Sequence, residues 1–267
     1  MPKKNNIKFI LNTEEKDYKS LARKIFFPIW DVTFGKKILN YASAILAWSR
    51  SSERFMNKIA GDKKKVKYFP AGIDISIFSP DEERKYITSG KLRLLMVARM
   101  VSCKDHFTLL EAVKHLKEET DLKFKLDLIG EGPLRKEVEK KIKEHGLENE
   151  VKILNRVSHS DMRKVYINHD VLLLPSIGEA IGMVVPESMA CGTPVIVSDT
   201  VGAKDYVIES ENGLIFKTGD YRDLTDKILA VSKMDIGKMG KNAAKHIAEN
   251  YNIEKVADNF YKILKNL

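Results

Sequence analysis

From Leu92 onward, short apolar runs alternate with longer stretches of mixed polarity. Runs at 92–98, 124–130, Val151–Leu154, Val171–Leu174, 195–197 and Gly213–Phe216 predict strands. They are apolar almost without interruption, as strands buried on both faces of a parallel sheet are. Apolar positions at helical spacing predict helices over 107–118, 134–145 and 160–168 between them. After the last strand, 221–232, 238–249 and 253–265 are expected as helices, and Val207 is placed on a short one. Strand and helix in regular turn predict an α/β fold of Rossmann-like type. Before Leu92 the pattern is looser. Strands are expected at 7–11, 44–47 and 66–69, and helices at 16–27, 36–41 and 51–59. The polar stretch 81–90 is expected to be a linker.

One stretch concentrates chemistry. After the run Val171–Leu174 comes a glycine-punctuated loop and then a short helix that Pro186 suits in its first turn. Gly192 and Pro194 end that helix. Glu179 lies in the loop and Glu187 in the helix, with seven residues between them. In an open parallel sheet, ligands bind at the edge where strands end. Backbone N–H groups of Gly182, Met183 and Val184 can hold a phosphate there. A carboxylate on each side can accept charge-assisted hydrogen bonds from paired hydroxyls. The implied ligand has phosphate in the middle and polyols at both ends, as a nucleotide-sugar does. Read singly, the same pattern is a buried strand–turn–helix with two solvated glutamates.

Glu179-x7-Glu187, continued through Ser188-Met-Ala-Cys-Gly-Thr-Pro-Val-Ile-Val-Ser198, resembles the Glu-x7-Glu region of retaining glycosyltransferases of the GT-B fold, glycosyltransferase 4 type. The resemblance implies that Glu179 contacts the donor sugar and Glu187 the ribose. Ala180 and Ile181 stand where the family has a glycine and an aromatic, while Gly182 keeps the family's glycine. The context Val97-Ala-Arg-Met-Val-Ser-Cys-Lys-Asp105 resembles the family's Gly-Arg-Leu-x-x-x-Lys-Gly, with Ala98 and Asp105 replacing the glycines. It implies that Arg99 and Lys104 bind the diphosphate, and two fixed cations can stabilise a departing diphosphate without a metal. Gly130-Glu-Gly-Pro-Leu-Arg135 and Asn155-Arg-Val-Ser158 match loops flanking base and ribose. Gly130 and the backbone of Arg156 or Val157 are therefore candidate donor contacts. Val201-Gly-Ala-Lys-Asp205 resembles the family's Gly-Gly-x-x-Glu.

The resemblance extends over nearly the whole chain, but not over the whole family. The family has two Rossmann-like domains. Residues 1–72 match the latter part of its N-terminal, acceptor-side domain. Residues 73–90, from Ile73-Asp74 through Phe78-Ser-Pro80, match the interdomain region, and 91–267 match a complete C-terminal donor-binding domain with its last helices. The opening strands and their glycine-rich loop are missing, and the place of the family's Thr-x-His falls at Leu11-Asn-Thr-Glu-Glu15, which has no histidine. The expected function is retaining transfer from a UDP- or GDP-sugar to an acceptor hydroxyl, in glycan, glycolipid or cell-surface polysaccharide synthesis, with a partner chain supplying the missing half. The alternative is a non-catalytic nucleotide-sugar-binding module or an inactive truncated remnant.

Charge sharpens the partner question. Residues 1–67 hold 16 Lys or Arg and 6 Asp or Glu, a net of +10, whereas the remaining 30 and 31 give −1. Such asymmetry points to an anionic partner: a membrane surface, a phosphate-bearing acceptor or nucleic acid. No nucleic-acid-binding signature accompanies it, so nucleic acid is not expected. The aromatic patch Ile25-Phe-Phe-Pro-Ile-Trp-Asp-Val-Thr-Phe34, flanked by Arg23, Lys24, Lys36 and Lys37, suits either an interfacial segment on an anionic bilayer or a helix pair packed on a sheet. The turn Lys63-Lys-Lys65 is expected to be solvated. Two cysteines without a CxxC pair argue against a disulfide framework. Six histidines (106, 115, 145, 159, 169 and 246) form no metal-spaced pair and are expected as surface or capping residues, so no metal is expected. With no signal peptide or spanning run, the expected location is cytoplasmic, peripheral at the inner membrane face.

Overall fold

The computed structural model describes residues 10–13, 36–84, 86 and 90–266. The expected helix at 16–27, the aromatic patch at 25–34 and Glu14-Glu15 lie outside the described residues, as does part of the strand expected at 7–11. The chain divides into two compact units. Residues 1–72 and 254–267 form the first, and 73–253 the second.

In the first unit, β1 (Ile10–Thr13), β2 (Ala44–Ala47) and β3 (Val66–Tyr68) make a parallel sheet in that order. Helix α1 (Lys36–Tyr41) precedes β2, and α2 (Arg50–Ile59) follows it. Ser49 caps α2 by accepting from the Ser52 N–H at 3.1 Å. Leu39, Ile45, Ala47, Met56 and Val66 form a small core. The final helix, α9 (Ile253–Lys265), was expected to belong with 91–267, yet from Glu254 it groups with this unit. Its Phe260 ring lies 5.5 Å from that of Phe69. An aromatic side chain in an amphipathic helix shows which face is buried, not what buries it.

The second unit holds six parallel strands in the order β6-β5-β4-β7-β8-β9. They are β4 (Leu92–Val97), β5 (Phe124–Ile129), β6 (Val151–Leu154), β7 (Val171–Leu174), β8 (Val195–Ser198) and β9 (Gly213–Phe216). The interleaved helices are α3 (His106–Glu119), α4 (Arg135–Glu144), α5 (Met162–Ile167) and α6 (Val184–Ala190), with α7 (Tyr221–Ser232) and α8 (Ile236–Asn250) after β9. Alternate strand residues face two separate cores. Leu94, Met96 and Leu173 pack with α3 and α7, whereas Leu95, Leu172 and Leu174 pack with α5, α6 and α8. Burial on both faces is the reason these strands are mostly apolar, Arg93, Lys125, Asp127 and Lys152 being the charged interruptions. Val207 sits just beyond a 3-10 turn, Gly202–Tyr206, rather than on a helix. Residues 73–84 and Tyr86, expected as linker, are bound into this unit. Phe78 is buried, Arg163 donates to the carbonyls of Ser79 (3.0 Å) and Pro80 (2.9 Å), and the Tyr86 hydroxyl donates to the Gly192 carbonyl at 2.8 Å. Arg84 and Tyr86 of this stretch donate to carbonyls of the unit, while Asp81, Glu82 and Glu83 are exposed. Among the described residues, no helix is long and apolar enough to cross a membrane.

Candidate active site

The strand order reverses between β4 and β7, which pair directly at Leu94 with Val171. Loops leaving these two strands in opposite directions open a crevice at the strand ends, the usual ligand position in such a sheet. Arg99 and Lys104 follow β4, and Glu179 follows β7. The two loops are tied by the Ile177 N–H, which donates to the Cys103 carbonyl at 2.7 Å. Lys104, in the 3-10 turn Ser102–Lys104, meets Glu179 as an ion pair with Nζ 2.5 Å from Oε1. The second oxygen of Glu179, Oε2, is buried with no partner among the described residues. A buried carboxylate oxygen is costly to leave unpaired, so a donor hydroxyl placed there would gain the full compensation.

Asp105, beside Lys104, does not compete for that lysine. It takes the left-handed conformation, φ 49°, where the family resemblance expects a glycine, and caps α3. Its carboxylate accepts from the Thr108 hydroxyl at 2.7 Å and the Thr108 N–H at 3.3 Å. Aspartate tolerates this conformation better than most residues. Arg99 is exposed and makes no ion pair with a described residue.

Glu187 lies on α6 and is almost wholly buried, at 8% exposure. Its Oε2 accepts from the Tyr166 hydroxyl at 2.7 Å, and its Oε1 lies 3.4 Å from His159 Nε2. Burial first, and the adjacent Glu187 second, push the Tyr166 hydroxyl pKa upward, so the phenol keeps its proton and donates. The support continues outward. Thr193 Oγ1 donates to the Tyr166 carbonyl at 2.7 Å and accepts from Arg84 at 2.8 Å. Tyr166, His159 and Arg84 were not singled out as site residues. His159, expected as a surface or capping residue, is exposed, but its ring also packs edge-on against Phe78 at 5.2 Å. A lone tyrosine within an amphipathic helix carries no mark of a carboxylate 21 residues later.

The loop between the two glutamates depends on Gly182, at φ +66°. A Cβ there would sit 3.0 Å from Leu174 Cδ2 and 3.1 Å from Ala203 Cβ. The Gly202 N–H donates to the Glu179 carbonyl at 2.6 Å, which gives that glycine-containing turn its part in the site. The N–H groups of Gly182, Met183 and Val184 precede the first internal bonds of α6 and donate to no described residue. Gly130 serves the scaffold. A Cβ at its position, φ +146°, would lie 2.1 Å from the Ala98 carbonyl oxygen, so the glycine lets the β5 loop close on the loop carrying Arg99. Arg156 is exposed beyond β6, while Val157 packs against the core on the α5–α6 side. Among the described residues, no group of three or more His, Cys, Asp or Glu side chains is placed to hold a metal ion.

Residues 79–255 match the family described as Glycosyl transferases group 1. The chain is 32% identical over 181 residues to the putative glycosyltransferase EpsF of Bacillus subtilis, a match spanning 65% of this chain and 46% of that one. The structure is similar to sucrose-phosphate synthase from Thermosynechococcus elongatus, with a TM-score of 0.83 and 22% identity, over 98% of this chain and 68% of that one. It is also similar to HepE of Anabaena, solved in complex with UDP and glucose, with a TM-score of 0.76 and 21% identity, over 89% and 67%. These likenesses show a GT-B fold. The chain spans about half the length of the curated relatives it matches.

Proposed function

This chain belongs to the glycosyl transferases group 1 family, and from that premise we propose that it supplies the donor-binding part of a retaining glycosyltransferase. The donor is a UDP- or GDP-sugar and the acceptor a hydroxyl of a glycan or lipid-linked glycan. The observation that carries this reading is the convergence at the β4–β7 reversal. There a buried, unpartnered carboxylate oxygen on Glu179 lies beside Lys104, on a loop tied to the one that carries Arg99.

In this reading Glu179 Oε2 accepts from a sugar hydroxyl, and Glu187, held by Tyr166, accepts from the ribose. As the bond from the anomeric carbon to the diphosphate breaks, negative charge grows on the leaving group. Arg99, Lys104 and the free N–H groups at 182–184 oppose that charge, without a metal in this reading. Lys104 then exchanges its Glu179 contact for a phosphate oxygen. A partner chain or segment supplies the acceptor side.

Calorimetric titration of the chain with UDP, GDP, ADP and their sugar conjugates tests this. One nucleotide should bind, and Arg99→Ala should abolish it. Glu187→Ala should weaken it by about 1–3 kcal/mol, the range for a charged hydrogen bond. A folded Glu187→Ala chain with unchanged nucleotide affinity would rule out the ribose role.

A further inference from the structure

The first unit contains a cleft of about 750 Å³ that shares no residue with the donor site. It lies where β2 and β3 begin, the edge of the sheet opposite the strand ends at which such folds usually take ligands. Four lysines from two separated stretches of chain line it: Lys64, Lys65 and Lys67 from the turn and strand of β3, and Lys262 from α9. Among the described residues its one carboxylate, Asp62, accepts from the Lys64 N–H at 2.9 Å to cap the turn Lys63–Lys65. Lys65 Nζ is fixed by the Asn40 carbonyl at 3.1 Å. None of the four amines is ion-paired with a described residue. In the second unit, by contrast, Lys114, Lys117, Lys140, Lys141, Lys227 and Lys245 each face a glutamate.

Groups around a cavity of this size lie within roughly one to two Debye lengths, about 8 Å each at physiological salt. Their repulsion is therefore only partly screened, and a multivalent anion removes it. Lysine ammonium groups bind phosphate as hydrated point charges with several donors, without requiring a planar partner. Tyr41, 76% exposed at the rim, adds an apolar wall. We propose that this cleft is a second anion site, taking a ligand with at least two phosphate charges. Either a soluble phosphoanion or phosphates presented by lipid headgroups supply that chemistry.

The test uses the full chain, inorganic pyrophosphate, and vesicles of phosphatidylcholine with and without phosphatidylglycerol. The variant K64Q/K67Q/K262Q removes three exposed amines and leaves the core alone. Arg99→Ala silences the donor site, and K114Q/K140Q/K245Q removes equal charge from the other unit. Pyrophosphate should bind the wild-type and Arg99→Ala chains, and adding the three cleft substitutions to Arg99→Ala should weaken it at least tenfold. Binding confined to phosphatidylglycerol vesicles, and lost only in the cleft variant, assigns the phosphate to lipid. The proposal is overturned if neither probe binds, if the cleft substitutions leave binding to the Arg99→Ala chain unchanged, or if both triple variants lose binding equally. Loss of pyrophosphate binding in Arg99→Ala alone would place it in the donor site and also overturn the cleft.

Discussion

Glu179 and Glu187 look alike along the chain and are held in opposite ways. Glu187 sits on a buried helix, with one oxygen on the Tyr166 hydroxyl and the other near His159. Glu179 sits on a loop shaped by Gly178 and Gly182, both at positive φ, with one oxygen on Lys104 and the other unpartnered. One carboxylate is oriented before any ligand arrives. The other is neutralised by a cation that a ligand can displace. In the proposed reading, Glu187 gives the ribose end a fixed frame and Glu179 serves the sugar end.

The largest effect expected from breaking this contrast is a pH effect on the Lys104 side. His106 opens α3 two residues after Lys104, is buried, and has an unpartnered Nδ1. Burial pushes its pKa down from 6.5 to about 4, despite the opposing charge of Asp105. The unfolded chain therefore takes up a proton that the folded chain refuses. The stability from the neutral ring is complete above about pH 6.5 and is lost as pH falls toward 4, at most about 3 kcal/mol. Urea unfolding of wild type and His106→Asn at pH 7 and pH 4.5 should show a shallower pH dependence in the variant. Equal dependence would refute it.

Next is Tyr166→Phe. It removes the donor to Glu187 Oε2 without changing the ring, and should cost about 1–3 kcal/mol of stability and weaken nucleotide binding. If neither changes, Glu187 is not fixed in the way described. Gly182→Ala should cost about 1–2 kcal/mol for the left-handed backbone alone, read as a fall in the urea midpoint. Smallest is Lys104→Met. The Lys104–Glu179 pair is partly exposed, so stability should change by less than about 1 kcal/mol. Affinity for UDP or GDP should nonetheless fall, and a stability loss matching that of Tyr166→Phe would erase the distinction between the two glutamates.

The strand pattern of the second unit was legible because burial on both faces keeps β4, β7 and β8 nearly free of polar residues, while β5 and β6 admit only Lys125, Asp127 and Lys152. Asp105 and Gly130 show where legibility stopped. Asp105 beside Lys104 is seen to cap α3 through Thr108 only in the structure, and the close approach of Gly130 to Ala98 likewise shows only there. The capping role of Asp105 and the need for glycine at 130 are set by backbone conformation and by neighbouring backbone, and neither is written in the residue type.

The sequence by itself determined the α/β alternation, the positions of Glu179, Arg99 and Lys104 in loops after strands and of Glu187 on the following helix, and the concentration of positive charge in the first quarter. Each follows from local periodicity or from counting. Only the tertiary structure decided the strand order that opens the crevice between β4 and β7, the pairing of Lys104 with Glu179, the Tyr166 bond to Glu187, and the return of the last helix to the first unit. Those depend on contacts between residues far apart in the chain. Such contacts are selected by the summed packing of whole elements, which no single residue or its near neighbours record.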